Sequence, residues 1–464
     1  MDRFFRLKEN GTTVRTEIMA GLTTFMTMAY ILAVNPNILS SFGTGATGMD
    51  WESVFLATAI AAGVMTIAMG LFVNFPVALA PGMGLNAYFA TVILSSEGQF
   101  TYQMGLAAVF ISGLIFIVLT VTKVRQMLLV AVPDSLKHAI TVGIGLFITI
   151  IGVKNSGIMT IAVEPSEDIP AHTFTNMLSF ETVLHMGSLT DPSVVLCIVG
   201  IVLISIMMVL QVRGAILFGI LLTTVVGYLM GQVNLGVLTD PDTTWVPDLT
   251  ELAFAEFDFE GLLNAGIITV ILTFTFVELF DTFGTLVGTA NRAGFMKNKQ
   301  EGHKKVGKAM MVDAVAVSGG ALVGTSTVTA FVESAAGVAQ GGRTGLTAVT
   351  TGVCFLLALF LAPIAALVPG PATAAALIIV GVLMMQSVKE IDFQDLVVAI
   401  PAFFMIVIMP FTYNIANGIS FGIVMYVILA TVARLSGRGE HKVHWLMWIL
   451  AALIVLRYTM IGTE

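Results

Sequence analysis

Apolar segments long enough to cross a lipid bilayer recur along almost the whole chain. A transmembrane helix needs about 17–25 predominantly apolar residues, and seven such segments fill the first half, near residues 18–38, 54–73, 76–94, 104–121, 135–153, 193–211 and 214–232. Seven more fill the second half, near residues 262–288, 309–323, 325–340, 346–367, 371–387, 394–411 and 416–434. Only 11% of the 464 residues are charged, against about 25% in soluble proteins. The pattern predicts an all-α integral membrane protein with fourteen spans and no soluble domain.

The basic residues indicate which side of the membrane each connecting segment occupies. Lys and Arg are absent between Lys154 and Arg213, and again between Arg213 and Arg292, and both intervals carry acidic loops. Basic residues cluster instead at the N-terminus, after the fourth span, and from Arg292 to Lys308. Because short basic segments stay in the cytoplasm, we expect these clusters inside and the two acidic loops outside.

Two sets of seven spans predict an inverted repeat. An odd number of spans per half places the second half upside down relative to the first, as in many transporters. The charges agree, since the N-terminus and the 292–308 segment are basic and the 233–261 segment between the halves is acidic. A further apolar run, Trp445 to Leu456, follows the last span. It is either an interfacial helix or a fifteenth crossing.

The third span of each half contains residues that disfavour a helix. In span 3, Pro76, Pro81, Gly82 and Gly84 lie close together, and both residue types weaken helices. In span 10 the corresponding run is Thr-Ser-Thr-Val-Thr, whose β-branched side chains favour strand. Irregular backbone at membrane depth is tolerated only where it is buried in protein or lines a cavity. The matched interruptions therefore predict the binding site.

Four acidic residues lie in otherwise apolar spans of the second half: Glu278, Asp281, Asp313 and Glu333. A charge at the bilayer centre costs about 2.5–3.5 kcal/mol even on insertion scales, and such residues usually face the interior of the bundle. Glu278 and Asp281 are three residues apart, so both point to one face of a helix. Because neighbouring carboxylates repel each other, we expect at least one to hold a proton at neutral pH. The pair could serve a proton relay.

Other residues near the interruptions admit two interpretations. Asn86 either contacts a ligand or bonds neighbouring helices, and Asp313 either relays a proton or pairs with backbone near the cytoplasmic end of its span. Four aromatic side chains either stack on a ligand or only pack: Tyr88, Phe276, Phe283 and Phe331. Carboxylate acceptors, backbone donors at half-helix N-termini and aromatic faces together favour a small planar heterocycle. An inorganic anion fits less well, because carboxylates would repel it.

Five sequence motifs resemble the nucleobase:cation symporter family, in particular its AzgA-like purine permeases. They are EIMAGLTTFMTMAYILAVNPNIL at 17–39, PGMGLNAYF at 81–89, FDTFGTLVG at 280–288, GTSTVTAFVESAAGVAQGGRTGL at 324–346 and NIANGISFGI at 414–423. The similarity runs almost from end to end, and the motif at 324–346 is long and specific.

The resemblance implies an architecture that hydropathy alone does not give. Family members have fourteen spans in a seven-plus-seven inverted repeat, divided into a core domain and a gate domain. Here the core would comprise residues 1–130 (spans 1–4) and 255–367 (spans 8–11). The gate would comprise residues 131–235 (spans 5–7) and 368–464 (spans 12–14 and the C-terminal apolar segment). Short strands in the broken spans 3 and 10 would face each other at the membrane midplane, with substrate between them and beside span 8.

The resemblance also implies the functional residues. Asp281, followed by Gly284, takes the place of a substrate-binding Glu in related uracil and xanthine transporters. Glu333 matches an acidic or amide position of span 10, whereas Ser334 departs from the Asn that follows it there. This departure, together with the Thr-Ser-Thr-Val-Thr run, favours a purine. The implied substrate-binding residues are Asn86, Glu278, Asp281, Thr329, Ala330, Phe331, Glu333 and Ser334, and the implied proton-coupling residues are Glu278, Asp281 and Asp313.

These features predict a proton-coupled symporter that imports purine bases, either hypoxanthine and guanine or adenine, across the cytoplasmic (inner) membrane. Two alternatives keep the fold: a sulfate-type anion transporter, which would need a cationic site, and a passive nucleobase channel. A membrane-embedded enzyme would need a metal or nucleophile constellation, which the sequence lacks. We expect no cofactor and no metal, because the six histidines lack metal-ligand spacing and the two cysteines lie in apolar runs. The pI and the loops give no reason to expect a nucleic-acid partner. The resemblance implies a homodimer.

Overall fold

The computed structural model describes most of the chain. It covers residues 2–41, 44–96, 98–122, 131–161, 184–238, 245–264, 299–437 and 441–460, and single residues or short runs at 124, 127, 270, 271, 273–275, 277, 278, 282, 285, 286, 289, 290, 293 and 295.

Helices dominate the described residues. In chain order they are α1 (Asp2–Phe5), α2 (Val14–Met28), α3 (Ile31–Leu39), α4 (Trp51–Ala68), α5 (Met83–Ser95), α6 (Tyr102–Val121), α7 (Asp134–Asn155), α8 (Pro192–Val209), α9 (Ala215–Leu229), α10 (Phe259–Asn264), α11 (Lys299–Val323), α12 (Ser334–Ala339), α13 (Gly345–Leu357), α14 (Ala362–Ala366), α15 (Gly370–Met385), α16 (Leu396–Phe411), α17 (Ile415–Leu435) and α18 (Trp445–Met460). Four short strands accompany them: β1 (Leu79–Pro81), β2 (Met159–Ile161), β3 (Leu184–Met186) and β4 (Val328–Ala330).

The helices coincide with most of the predicted spans. Nine helical segments in the described part of the chain are long and apolar enough to cross a membrane, and α5, α9, α16 and the apolar part of α18 are shorter apolar helices. Predicted span 8, residues 262–288, lies largely outside the described residues, although its described positions after residue 269 are helical. Buried apolar side chains of both halves form one large cluster. The chain is therefore a multi-pass helical membrane protein.

The first predicted span, near 18–38, contains a junction. One apolar segment, Val14–Leu39, is long enough to cross a membrane, and it consists of α2 and α3, which meet at Ala29 and Tyr30. At this junction Leu32 and Ala33 each donate their N–H to the carbonyl three residues earlier, at 3.1 Å, which is the tighter 3-10 geometry. Hydropathy could not reveal the division, because apolar residues continue through it.

Both predicted interruptions are present as short strands. Span 3 consists of β1 followed by α5, and span 10 consists of β4 followed by α12. The two strands pair antiparallel, with Leu79 opposite Ala330 and Pro81 opposite Val328. Proline has no N–H to donate to a ladder, so it is tolerated at strand ends such as the position of Pro81. Antiparallel pairing of the third element of each half agrees with halves of opposite orientation.

The C-terminal apolar run is helical and packs beside α17. The hydroxyl of Tyr458 in α18 donates to Asn417 Oδ1 at 2.7 Å. Just before this helix, His441 Nε2 lies 2.9 Å from Asp395 Oδ2 at the start of α16. With sixteen residues, α18 is short for a span. Both interpretations of this segment stay predictions.

A buried carboxylate at the start of the first span holds the beginning of α13. Glu17 in α2 accepts from the N–H groups of Arg343 (2.8 Å), Thr344 (3.2 Å) and Thr347 (3.2 Å), and from the Thr347 hydroxyl at 2.6 Å. The first N–H groups of a helix have no partner within the helix, and a negative charge there is favourable. Glu17 therefore joins the two halves of the protein.

Replacing Glu17 by alanine should destabilise the protein. The N–H groups that it accepts from would remain buried without an acceptor, and we expect the free energy of unfolding to fall by about 3 kcal/mol. Thermal unfolding of the detergent-purified protein measures this loss. Glu9→Ala is the matched control, because its exposed contact with Arg6 at 3.9 Å is worth less than about 1 kcal/mol. Equal unfolding temperatures for the two variants would contradict the assignment.

Candidate functional site

The paired strands bury backbone N–H and carbonyl groups that would hydrogen-bond to one another in a continuous helix. Beside the ladder, Phe331 donates its N–H to the Ala78 carbonyl at 3.0 Å, and Gly82 donates to the Thr327 carbonyl at 2.9 Å. In the described chain, β1 and β4 pair only with each other. Their outer edges therefore need side-chain partners, because a buried backbone group without a hydrogen bond is costly.

A side chain from the preceding helix satisfies each outer edge. At β1, the Thr66 hydroxyl of α4 donates to the Leu79 carbonyl at 2.9 Å and accepts from its N–H at 2.8 Å. At β4, Asp313 of α11 accepts from the N–H of Ala330 at 3.2 Å. Because α4 and α11 are the second spans of their halves, a threonine and an aspartate serve equivalent strands. Asp313 thus supports the backbone of β4.

The location of Asp313 corrects one expectation. The sequence suggested a helix beginning near residue 309, with Asp313 close to its cytoplasmic end. The structure begins α11 at Lys299, so Asp313 lies in the middle of the helix and is fully buried. The difference arises because the first turns of α11 are polar, and hydropathy detects only the apolar part.

Asp313 also belongs to a buried hydrogen-bond network that reaches span 8. The Thr282 hydroxyl lies 3.2 Å from both Glu278 Oε1 and Asp313 Oδ1, and 2.7 Å from the Thr329 hydroxyl. Thr329 Oγ1 lies 3.4 Å from the same Asp313 oxygen. Each hydroxyl has one proton to donate, so two threonines cannot fill these four contacts at once. A proton on either carboxyl group would add a third donor for these four contacts.

Glu333 lies at the end of span 10's irregular backbone, immediately before α12. Its Oε1 accepts from the hydroxyl of Tyr30 at 2.8 Å. Tyr30 is almost fully buried and occupies the junction between α2 and α3. Beside Glu333, the Val332 side chain is 62% exposed, although it is only two residues from the buried strand β4. Glu333 itself is half-buried.

Asn86 is bonded within the protein at both ends of its amide. Its Nδ2 donates to Asn35 Oδ1 at 2.5 Å, and its Oδ1 accepts from the Ser326 hydroxyl. Asn35 in turn donates to the hydroxyls of Thr58 (2.7 Å) and Thr325 (2.9 Å). The network ties spans 1, 2 and 3 to the segment before β4. A ligand contact of Asn86 stays a prediction, and it would compete with these bonds.

The remaining span 10 candidates lie close together, but much of their polar surface is engaged. The Ser334 hydroxyl accepts from the N–H of Ala78 at 3.0 Å, so it fastens α12 to the segment before β1. The N–H groups of Ala330 and Phe331 donate to Asp313 and Ala78. The Thr329 hydroxyl belongs to the carboxylate network, with Glu278, Thr282 and Asp313. These residues shape the site, and their direct contact with a ligand stays a prediction.

Several predicted residues lie outside the described residues. Asp281, the proposed main contact of span 8, is among them, as are Phe276 and Phe283. Of the other aromatic candidates, Tyr88 is buried and meets the ring of Phe274 edge-on at 5.3 Å, which favours packing. Among the described residues no cluster of His, Cys, Asp or Glu could hold a metal ion.

Sequence reasoning did not single out three residues of this site. They are Tyr30, which bonds Glu333, Asn35, which bonds Asn86, and Thr66, which bonds β1. Each is a polar residue in an apolar span, and Tyr30 and Asn35 lie in the 17–39 motif. That signal could have identified them as residues with buried partners, but only the tertiary structure identifies the partners.

Comparison with known proteins agrees with these features. A family model described as "Permease family" matches residues 15–421. The adenine permease AdeP of Escherichia coli is 41% identical over 430 residues, which cover 92% of this chain and 90% of that protein. The guanine/hypoxanthine permease PbuO of Bacillus subtilis is 40% identical over 459 residues, which cover 98% and 99% of the two chains.

The fold is also similar to that of a solved structure. The transmembrane domain of a cyanobacterium bicarbonate transporter, BicA, superposes with a TM-score of 0.59 and 14% sequence identity, covering 90% of this chain and 97% of that one. At this low identity the likeness concerns the fold alone.

Proposed function

As a member of the permease family whose model matches residues 15–421, the chain is a membrane transporter rather than an enzyme, and we propose that it imports purine bases in symport with protons. The substrate would be hypoxanthine and guanine, or adenine. The relatives described as adenine and guanine/hypoxanthine permeases support the purine class, since each alignment covers at least 90% of both chains. A homodimer, which the family resemblance implies, is part of the same proposal.

Glu333 carries the substrate part of the proposal. A purine presents N–H groups at its edge, and a carboxylate is a strong acceptor for them. Glu333 is bonded to Tyr30 through one oxygen, at 2.8 Å, beside the exposed Val332. The Tyr30 bond would orient the carboxylate while its other oxygen accepts from the base. Asp281, one turn from Glu278 in the sequence, would hold a second N–H group from span 8.

The carboxylate network carries the proton part. Glu278, Thr282, Asp313 and Thr329 are buried together, and the two threonine hydroxyls supply only two protons for their four contacts. A proton that enters from outside would add a third donor to the network and neutralise a buried charge. Because Asp313 also accepts from the N–H of Ala330 in β4, protonation of Asp313 would remove a negative charge next to the strand that lies beside the substrate. Proton binding and purine binding would thereby favour each other.

Transport would follow from movement between two domains. We place residues 1–130 and 255–367 in a core that carries the strand pair, and residues 131–235 and 368–464 in a gate. With fourteen spans in an inverted repeat, core and gate could expose the site to one side of the membrane and then to the other. The antiparallel pairing of β1 with β4 supports this arrangement.

An anion carrier of the same fold is the first alternative. Such a carrier would need positive side chains near the strand pair, but Lys and Arg are absent from residues 16–122, 214–291 and 309–342. These ranges supply spans 1–4 and 8–10. The second alternative, a passive nucleobase channel, would equilibrate its substrate without accumulating it.

Uptake by cells tests the proposal. The protein is expressed in a host stripped of its own permeases, and uptake of radiolabelled hypoxanthine, guanine, adenine, xanthine and uracil is measured with and without a protonophore. We expect accumulation of one purine class, abolished by the protonophore, and no uptake of uracil. Uptake that only equilibrates would support the channel. No uptake of any base would refute the purine assignment.

A further inference from the structure

A cavity lies between the proposed core and gate, and its described lining contains no residue of the carboxylate network. Its volume is about 240 Å³, and it is lined by α3, α5, the end of α7 and the turn before α17. Polar groups line it on several sides: Ser41, Thr91, Ser95, Lys154, Asn155 and Tyr413. Lys154 and Asn155 are exposed at its rim. The cavity is therefore open to solvent at the end of α7.

The cavity lies on the side opposite the basic segments. Helix α2 begins beside the N-terminal basic cluster, and α3 continues it to the cavity at Ser41. Helices α5 and α7 run parallel, because they touch at Gly84 and Ile144 and both line the cavity seven residues later, at Thr91 and Ile151. By the positive-inside rule this face is external. The tight contact at Gly84 closes the inner end of the cavity.

The inner end of the cavity is close to the strand pair. Helix α5 begins at Met83, two residues after the end of β1, and its residue Ala87 already lines the cavity. A Cβ atom on Gly84 would lie only 2.5 Å from Ile144 Cγ2, so core and gate are in close contact just below Ala87. Separation of α5 from α7 at this contact would connect the cavity with the proposed substrate site.

Tyr413 forms an aromatic wall of the cavity in an unusual backbone conformation. Its φ is 51°, the left-handed region that bulky residues rarely adopt. Such strain persists only where the surrounding structure holds it, often at functional sites. The ring meets Phe147 edge-on at 5.5 Å, and Lys154 Nζ lies 5.2 Å from its centroid. Burial raises the pKa of Tyr413 to about 12, so the ring stays neutral.

The chemistry of this cavity complements that of the strand pair. Among the described residues, its lining includes an ammonium group, an amide, three aliphatic hydroxyls and the phenol ring of Tyr413, and no carboxylate. These groups suit a planar ring that carries acceptor atoms, such as the ring nitrogens and carbonyls of a purine. At the strand pair, carboxylates suit the N–H groups of the same base.

We propose that this cavity is an external binding site in which a purine base stacks on Tyr413 and accepts a hydrogen bond from Lys154 before it reaches the strand pair. The base displaces the Lys154 ammonium group from the ring face, and the ammonium group then bonds its edge. This inference rests on the proposed function, because it requires that the protein transport purines.

Transport kinetics give the first test. Because stacking on an aromatic side chain is worth a factor of about ten or more in affinity, we expect Tyr413→Leu to raise the KM for purine uptake by about tenfold. Lys154→Ala should raise KM several-fold, and Tyr413→Phe and Lys154→Arg, which keep the aromatic face and the positive charge, should raise KM less than Tyr413→Leu and Lys154→Ala do. Tyr228→Leu, an exposed tyrosine on α9, is the matched control. An unchanged KM for Tyr413→Leu at normal membrane abundance would overturn the proposal.

Cysteine protection separates this site from the strand pair. In a chain that lacks Cys197 and Cys354, Lys154→Cys is labelled from outside with a membrane-impermeant maleimide, with and without the transported purine. We expect labelling that the purine slows, also when Glu333→Gln blocks the strand-pair site. Absence of labelling, or protection that disappears with Glu333→Gln, would overturn the proposal. Failure of wild-type uptake would instead refute the proposed function.

Discussion

Glu333→Gln should reduce purine uptake by about one hundredfold, because a charged hydrogen bond to the base is worth up to about 3 kcal/mol. The amide keeps the size of the side chain and an acceptor for Tyr30, whose hydroxyl lies 2.8 Å from Glu333 Oε1. The substitution therefore removes charge while the local fold is retained. Uptake is measured at equal membrane abundance, as initial rates over a range of purine concentrations.

Two further variants test whether this loss of uptake is specific to Glu333 and its partner. Tyr30→Phe removes the donor that orients Glu333 and should lower uptake less, by about tenfold. Glu390→Gln changes an exposed carboxylate at the end of a 3-10 turn and should leave uptake unchanged. Wild-type uptake by the Glu333→Gln variant would show that Glu333 does not bind the substrate.

Two substitutions of Asp313 should distinguish its structural role from its role in proton coupling. Its described donors, Thr282, Thr329 and the N–H of Ala330, all bond Oδ1. Asp313→Ala removes this acceptor beside a buried strand edge, and we expect a loss of about 3 kcal/mol in stability together with loss of uptake. Asp313→Asn retains an oxygen at the same place but cannot take up a proton.

We therefore expect Asp313→Asn to fold with nearly wild-type thermal stability and to lose the coupling. Its purine uptake should be slow, should not exceed equilibration, and should no longer respond to a protonophore. Accumulation by Asp313→Asn that the protonophore still abolishes would assign the coupled proton elsewhere and leave Asp313 with support of β4 alone.

Local chemistry explains what the sequence could predict. Span positions follow from runs of apolar residues, and the breaks in spans 3 and 10 follow from Pro81, Gly82 and the β-branched run before Ala330. These signals act through neighbouring residues, so they are readable without tertiary structure. The strands themselves appeared as predicted, and they pair with each other across the two halves.

The partners of polar residues could not be predicted in the same way. Glu17 meets α13 over more than three hundred positions of sequence, and Tyr30 meets Glu333 over a similar separation. Such contacts depend on how the two halves pack against each other, and this packing cannot be read from residue type and spacing along the chain. For the same reason the sequence could not show that the Asn86 amide bonds Asn35 and Ser326, and a ligand contact of Asn86 stays a prediction.

Equilibrium binding to purified protein tests the central claim most directly, that a purine binds at the carboxylates beside the paired strands. Binding of the radiolabelled purine that is transported best is compared between wild type and Glu333→Gln. The account predicts saturable binding to wild type and, in the variant, an affinity of the strand-pair site that is lower by about one hundredfold, while binding in the external cavity is retained. Equal affinities would contradict it and would place the substrate elsewhere in the protein.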